Sequence, residues 1–261
     1  GEVIERPESI IKELIENSID ANASKIEIII EKGGIDSIIV KDNGVGIQKD
    51  EIAIAFKRHT SSKISSIEDL DNINTLGFRG EALSSISTVS HVSISTSTDG
   101  IESFNADIIE GNISKISLGA RKRGTTIRIN NIFNSIPARK KFLKSPNTEQ
   151  NRISKLLKNF FLSYPMIEFS YTCDNKVIYA LKASSIDERI EIVFGQKYKG
   201  KLIDIDSSKG EYQVKGVLAN LDIIKKNPGD QFLFINNRSI KSKMIQGTIL
   251  RSFSSLIQRG E

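Results

Sequence analysis

Ile10, Ile11, Leu14, Ile15, Ser18 and Ile19 recur at helical spacing behind Pro7, a residue suited to a first helical turn, and this predicts an amphipathic helix. Lys25 to Glu31 and Ser37 to Lys41 are isoleucine-rich and strand-like, and the Gly33-Gly34 pair between them permits the positive φ of an antiparallel hairpin. Asp42-Asn43-Gly44-Val45-Gly46 breaks the second strand, and Asp50 to Arg58 returns to helical spacing through Ile52, Ile54, Ala55 and Phe56. His59 to Arg79, rich in Ser, Thr, Asp, Asn and Gly, reads as a long functional loop. Glu81 to Val89 reads as a helix, and His91 to Thr98, Phe104 to Ile109, Ile113 to Leu118 and Thr125 to Asn130 as strands of an antiparallel sheet with one buried face. A long helix from about Thr148 to Ser163 carries Ile153, Leu156, Leu157, Phe160 and Phe161 on one stripe, and Pro165 ends it. Further on come a helix near Ile186 to Phe194, strands near Tyr212 to Leu218 and Gln231 to Ile235, and a helix from about Ser242 to Ile257.

Helices set against an antiparallel or mixed sheet make an α+β fold. A chain of 261 residues has room for two modest domains, and the polar stretch from Ala183 to Asp187 is the expected boundary, giving domains 1–184 and 185–261. The apolar fraction of 38% and charged fraction of 26% are ordinary for a globular protein, and no apolar run is long enough to cross a bilayer, so no membrane partner is expected. One cysteine, Cys173, and the lack of a secretory leader point to a reducing, cytoplasmic setting. Two histidines and one cysteine argue against a zinc site, so any metal should be a hard ion held by oxygens. The net charge of +5 suits a nucleic-acid partner, although many cytosolic proteins are as basic without one. A start at Gly1 and a stop at Glu261 within a helix-like stretch suggest an excised piece of a longer protein.

Three segments could carry chemistry. Glu13, Asn17 and Asp20 are spaced to project from one face of the first helix. A carboxylate that can take a proton from water, one turn from an amide oxygen that can ligate Mg²⁺, supplies two parts of a phosphoryl-transfer site; the alternative is a solvated helix face. Asp42 at the end of a strand could accept from an amino group such as that of adenine, with Gly44 and Gly46 admitting a ligand to the backbone; alternatively Asp-Asn-Gly is only a turn. Gly77-Phe78-Arg79-Gly80 precedes a helix, where free N–H groups attract phosphate, unless it is merely a flexible junction. No Walker P-loop is present: Gly119 to Thr125 has the glycine spacing but no following lysine. In the second domain Arg238, Lys241, Lys243 and Arg251 could bind DNA phosphates weakly and without sequence preference, or form a solvated basic face.

These segments, in this order, resemble the MutL family of the GHKL ATPase superfamily, which also includes gyrase B subunits, heat-shock chaperones and histidine kinases. The likeness runs through Gly1 to Pro7, Lys12 to Ala21, Asp42 to Ile47, His59 to Ile64, Gly77 to Leu83, Gly124 to Thr126, Pro137 to Leu143 and Phe234 to Arg238. It implies a GHKL-type α/β sandwich followed by a ribosomal-protein-S5-like α+β domain. It also implies that Glu13 activates water, Asn17, Asp20 and Gly44 lie at the nucleotide with Asn17 on Mg²⁺, Asp42 reads the adenine amino group, and Gly46 gives room beside the base. Thr60, Ser61, Ser62 and Lys63 would form part of a lid over the phosphates of ATP, Leu76, Gly77, Phe78, Arg79 and Gly80 would close round them, and Thr126 matches the threonine of the last nucleotide motif.

What the resemblance implies as function is slow, Mg²⁺-dependent ATP hydrolysis that drives dimerisation with a second copy, acting as a switch in DNA mismatch repair with a MutS-type recognition protein. A preceding segment that helps form the dimer, a phosphate-contacting lysine of the second domain and the C-terminal nicking domain of many members are expected to lie outside this chain. The rival readings are a type II topoisomerase ATPase subunit and a nucleotide-sensing or DNA-binding module without useful catalysis.

Overall fold

The computed structural model describes residues 4–56, 82–223 and 230–253. Contacts divide the chain into two compact units, one comprising Gly1–Leu157 with Ile167–Lys182, the other Lys158–Met166 with Ala183–Glu261.

The first unit is built on a nine-stranded mixed sheet. Its strands are β1 (Lys25–Glu31), β2 (Ser37–Asp42), β3 (His91–Ser97), β4 (Phe104–Ile109), β5 (Asn112–Ile113), β6 (Ser117–Leu118), β7 (Gly124–Asn130), β8 (Glu168–Cys173) and β9 (Lys176–Leu181). Their order is β5-β4-β3-β7-β2-β1-β8-β9, with β6 also on β4. Every pairing is antiparallel except β1 with β8, which is parallel. The β1–β2 hairpin turns through Lys32–Gly34, where Gly33 and Gly34 take φ of 65° and 80°. A side chain at Gly33 would run into the carbonyl of Pro146, so glycine is required there for space as well as for conformation.

Alternation puts one sheet face in the core. Ile26, Ile28 and Ile30 of β1 lie level with Phe169, Tyr171 and Cys173 of β8, all at most 3% exposed, and Ile38, Val40, Val92, Ile94, Ile127 and Ile129 extend the same buried face. The helices α1 (Pro7–Asp20) and α3 (Ala82–Ser87) and the first part, residues 146–157, of α5 (Pro146–Ser163) supply the other layer. The buried stripe of α1 is the one expected, Ile10, Ile11, Leu14, Ile15 and Ser18, and the surroundings of Gly34 bring Pro7, Ile38 and Ile153 together, tying α1, β2 and α5 into one core. Two further short helices among the described residues, α2 (Lys49–Ala55) and α4 (Pro137–Phe142), belong to the same unit.

The α+β class therefore holds, and the structure corrects details. The strand expected over 113–118 is split into β5 and β6, because the Ser114 hydroxyl captures the Asp107 N–H (2.9 Å) that would otherwise join the ladder. The β8–β9 hairpin was not apparent in the sequence; its two-residue turn is Asp174-Asn175, with φ of 48° and 62°, the left-handed pair that a tight hairpin demands. The segments His59 to Arg79 and 254–261 lie outside the described residues.

In the second unit, α6 (Ile186–Phe194) begins at a reciprocal cap in which the Glu188 N–H donates to Ser185 Oγ and the Ser185 N–H to Glu188 Oε2. Two antiparallel hairpins follow, β10 (Leu202–Lys209) with β11 (Tyr212–Ala219) and β12 (Leu233–Ile235) with β13 (Arg238–Ile240), and then α7 (Lys243–Ser252). Phe194 packs against Tyr198 and Phe232, with Lys158 Nζ 5.1 Å from the Phe194 ring centre. Arg189 of α6 is fully buried; its guanidinium donates to the carbonyls of Pro165 (2.6 Å) and Phe161 (3.5 Å) and to the Ser184 hydroxyl (3.4 Å). Replacing it strands those buried acceptors. Arg189→Met should cost about 2–3 kcal/mol in urea denaturation followed by circular dichroism, and a loss below about 1 kcal/mol would mean that the carbonyls find other donors.

Candidate functional site

Strand β2 ends on Asp42, where it meets the last turns of α1 and the first residues of β7. The residue is half-buried, and its carboxylate collects donors from separate stretches of chain. Oδ1 accepts the N–H of Gly44 (2.9 Å) and of Thr125 (3.1 Å), and Oδ2 accepts from the Ser18 hydroxyl on α1 (3.1 Å). Arg121 donates through Nη2 to the Asp42 carbonyl (2.8 Å). Burial pushes the Asp42 carboxyl above its ordinary range; the bonds from Gly44, Thr125 and Ser18 and the Arg121 charge oppose that rise without cancelling it. Each carboxylate oxygen offers about two acceptor directions, so the three donors found among the described residues leave one direction on Oδ2 to which a ligand could donate.

The loop after Asp42 is fastened on both sides. Asn43 Oδ1 accepts the N–H groups of Ser24 (3.0 Å) and Lys25 (2.9 Å), the Val45 N–H donates to the Ala21 carbonyl (2.9 Å), and the Ile47 N–H donates to Thr96 Oγ1 (2.9 Å). A Cβ on Gly44 would lie 2.6 Å from the Ala21 carbonyl oxygen, and one on Gly46, whose φ is 76°, would collide with the Ser97 carbonyl. Both glycines thus admit the chain's own backbone. Gly124 does the same from the other strand, since a side chain there would strike the backbone of Asp42.

Helix α1 presents Glu13 and Asn17 on the flank of its buried stripe, and Asp20 one turn further on is half-buried. The Glu13 side chain is only 13% exposed, which is not a solvated helix face. Lys12 Nζ lies 3.2 Å from Glu13 Oε1 and 3.3 Å from Glu16 Oε2. The Asn17 amide makes no hydrogen bond among the described residues.

Thr126 lies elsewhere. Its register partners are Lys41 and Ser95, so it occupies the sheet face opposite Asp42. Thr125 is the residue on the Asp42 side, buried, with its hydroxyl 3.1 Å from Thr96 Oγ1. Thr60, Ser61, Ser62, Lys63, Leu76, Gly77, Phe78, Arg79 and Gly80 lie outside the described residues. Arg238 sits on β13, Lys241 just after it, Lys243 at the start of α7 and Arg251 in its last turn, all exposed. Ser18, Arg121 and Thr125 were not legible as site residues. The signal for Ser18 was a hydroxyl on an otherwise apolar helix stripe, and for Arg121 an arginine inside the glycine-spaced segment that lacks a P-loop lysine.

Residues 4–138 match the family described as histidine kinase-, DNA gyrase B-, and HSP90-like ATPase, and residues 190–261 match that described as DNA mismatch repair protein, C-terminal domain. The DNA mismatch repair protein MutL of Macrococcus caseolyticus is 38% identical over 261 residues, covering 100% of this chain and 41% of the relative. That of Fervidobacterium nodosum is also 38% identical, covering 100% of this chain and 44% of the relative. The chain thus spans about two fifths of the length of these curated relatives. Among solved structures, the Aquifex aeolicus MutL ATPase domain complexed with ADP is 29% identical with a TM-score of 0.74, over 96% of this chain and 88% of that one. The N-terminal domain of a DNA repair protein is 26% identical with a TM-score of 0.81, over 97% of this chain and 80% of that one.

Because the folded Asp42 carboxyl holds its proton more tightly than it does in the unfolded chain, ionising it costs stability. Its contribution is complete below the ordinary aspartate range and is lost as pH rises through the raised value. An asparagine fits the same donors: its oxygen accepts from Gly44 and Thr125, and its amide donates to Ser18 Oγ, whose own proton goes to the Leu14 carbonyl 3.0 Å away. Asp42→Asn should therefore melt a few degrees higher than the parent at pH 7, with the gap closing as pH falls toward the ordinary aspartate range. A lower melting temperature at pH 7 would show that the charge is stabilised where it lies.

Proposed function

Since the chain belongs to the histidine kinase-, DNA gyrase B- and HSP90-like ATPases and, among them, to the MutL-type DNA mismatch-repair proteins, we propose that it binds ATP with Mg²⁺ and hydrolyses it slowly, as a dimerisation switch in mismatch repair. The chain has a GHKL-type sandwich followed by an S5-like α+β domain, and the proposed boundary lies between residues 184 and 185. The observation that carries the reading is the Asp42 carboxylate, half-buried, given donors by three separate stretches of chain and tied by Ser18 to the helix that bears Glu13 and Asn17.

The remaining acceptor direction on Asp42 suits adenine. Asp42 accepts from the exocyclic amino group of the base, whereas guanine would oppose it with a carbonyl oxygen. Glu13, shielded and held beside Lys12, takes the proton from water as the water oxygen bonds to the terminal phosphorus and the bond from that phosphorus to the ADP oxygen breaks. Asn17 offers its amide oxygen to Mg²⁺, which when bound neutralises phosphate charge. Among the described residues no three His, Cys, Asp or Glu side chains converge as a metal cage, and an ion held largely by phosphates and water needs none. Thr60, Ser61, Ser62, Lys63 and residues Leu76 to Gly80 complete the phosphate side in this proposal, and Asp20, Gly44 and Gly46 line the nucleotide. Thr126 faces away, so its place passes to Thr125, which donates its N–H to Asp42.

The partners proposed are a second copy of the chain, a MutS-type recognition protein and DNA, in the cytoplasm. No helix of the described residues is long and apolar enough to cross a membrane. The match to mismatch repair over residues 190–261 favours this reading over a topoisomerase subunit.

Glu13→Ala should keep ATP affinity and slow single-turnover hydrolysis by about a hundred- to ten-thousand-fold, whereas Asn17→Ala should weaken both binding and rate. Parental hydrolysis by Glu13→Ala together with normal Mg²⁺-ATP binding by Asn17→Ala would reduce α1 to a structural helix. For DNA, Arg238→Glu with Lys243→Glu should weaken binding and flatten the dependence of log K on log salt by roughly one unit per lost phosphate contact. An unchanged affinity and slope would move the DNA contact away from β13 and α7.

A further inference from the structure

Arg121 lies just upstream of β7, the strand that sits between β2 and β3. Its guanidinium reaches across the head of that strand to both neighbours, with Nη2 donating to the Asp42 carbonyl at the end of β2 (2.8 Å) and Nε donating to the Ser95 carbonyl on β3 (3.2 Å). Nε–H and Nη2–H share one edge of the planar group, so a single rigid fork spans the two strands. Nη1 turns back to the carbonyl of Lys122 (3.4 Å), and the Arg121 N–H is anchored on the Ser103 hydroxyl (3.1 Å).

We infer that Arg121 is a positioning residue for base recognition: it clamps the backbone of Asp42 so that the last acceptor direction of the carboxylate points where the base must donate. The inference rests on the proposal that Asp42 reads adenine. Three features support a positioning role rather than a general stabilising one. The fork grips the main chain of the recognising residue itself, not a distant part of the core. Gly124, three residues on, packs its Cα against the same Asp42 backbone, so the clamp and the close approach act on one peptide. Thr125 then delivers its N–H to Asp42 Oδ1, which makes the orientation of the carboxylate depend on where the segment from Arg121 to Thr125 lies. The guanidinium is half-buried, and its charge also eases the ionisation that burial opposes at Asp42. Lysine would keep the charge but would present its donors from a single nitrogen on a flexible stem, without the rigid fork that spans the two strands.

The inference is tested by measuring the dissociation constants of Mg²⁺-ATP and Mg²⁺-GTP for the parent chain, Arg121→Met, Arg121→Lys and Asp42→Asn, with melting temperatures alongside. The parent should prefer ATP, Asp42→Asn should lose the preference, and Arg121→Met should reduce the ATP-to-GTP preference by about tenfold. Arg121→Lys, the milder change if the methionine variant does not fold, should fall between parent and methionine. Single-turnover hydrolysis at saturating ATP should change much less than affinity, because Glu13 and Asn17 are untouched. A variant that merely loosened the fold would weaken both nucleotides alike and keep their ratio. A preference lost in Asp42→Asn but retained in both Arg121 variants overturns the positioning role. An equal affinity for ATP and GTP in the parent removes adenine reading by Asp42, and this inference with it.

Discussion

A carboxylate partly withdrawn from water must be given donors, and at Asp42 that requirement sets how the end of β2, the loop after it, the head of β7 and the last turns of α1 come together. Strand β2 cannot supply them, since its N–H groups are committed to the ladders with β1 and β7. They come instead from the following loop, from the head of β7 and from a hydroxyl on α1. Each bond is short only if three pieces of backbone approach more closely than side chains allow. Gly44 against Ala21, Gly46 against Ser97 and Gly124 against Asp42 are the places where a Cβ would keep them apart. The glycines therefore serve the charge before they serve any ligand, and Ser18 and Ala21 fix the C-terminal half of α1 at the end of β2 that carries Asp42.

Satisfaction of that charge is incomplete by design of the chain itself. Ser18 has one proton and two acceptors, Leu14 O at 3.0 Å and Asp42 Oδ2 at 3.1 Å, so an ionised Asp42 competes with the helix for it. The residual acceptor capacity on Oδ2 is the part that a base can use. Function and stability pull in opposite directions at this residue, as is common at sites kept polar inside a core. Arg121 works on the same peptide from outside, fixing its position without filling the open acceptor direction.

Much of this was legible before any coordinates. The α1 stripe follows from a period of 3.6 and the strands β3, β4 and β7 from alternation, while β1 and β2 show as isoleucine-rich runs joined by Gly33-Gly34, β2 being buried on both faces. The β8–β9 hairpin escaped because β9 is an edge strand with exposed Lys176 and Val177, and because Asp174-Asn175 reaches left-handed φ without the glycine that usually announces such a turn. At the site, Glu13, Asn17 and Asp42 stood out by type and spacing. Choosing between Thr125 and Thr126 required the register of β7 on β2, which a pair of identical neighbours cannot reveal. The contribution of Ser18 and Arg121 is likewise long-range, 24 and 79 residues from Asp42, and no local pattern encodes it.

The parallel pairing of β1 with β8 has a consequence for synthesis. The register joins Lys25 to Glu168, partners 143 residues apart, and no hairpin can bring them together sooner. A ribosome adding roughly 5–20 residues per second needs on the order of 10–30 seconds to make that stretch. Through that interval β2 can already cover one edge of β1, while the backbone N–H and C=O groups of the other edge wait for a partner not yet made. An unpaired strand edge is a template for pairing with another nascent chain, so this edge stays open to such pairing until β8 has been made.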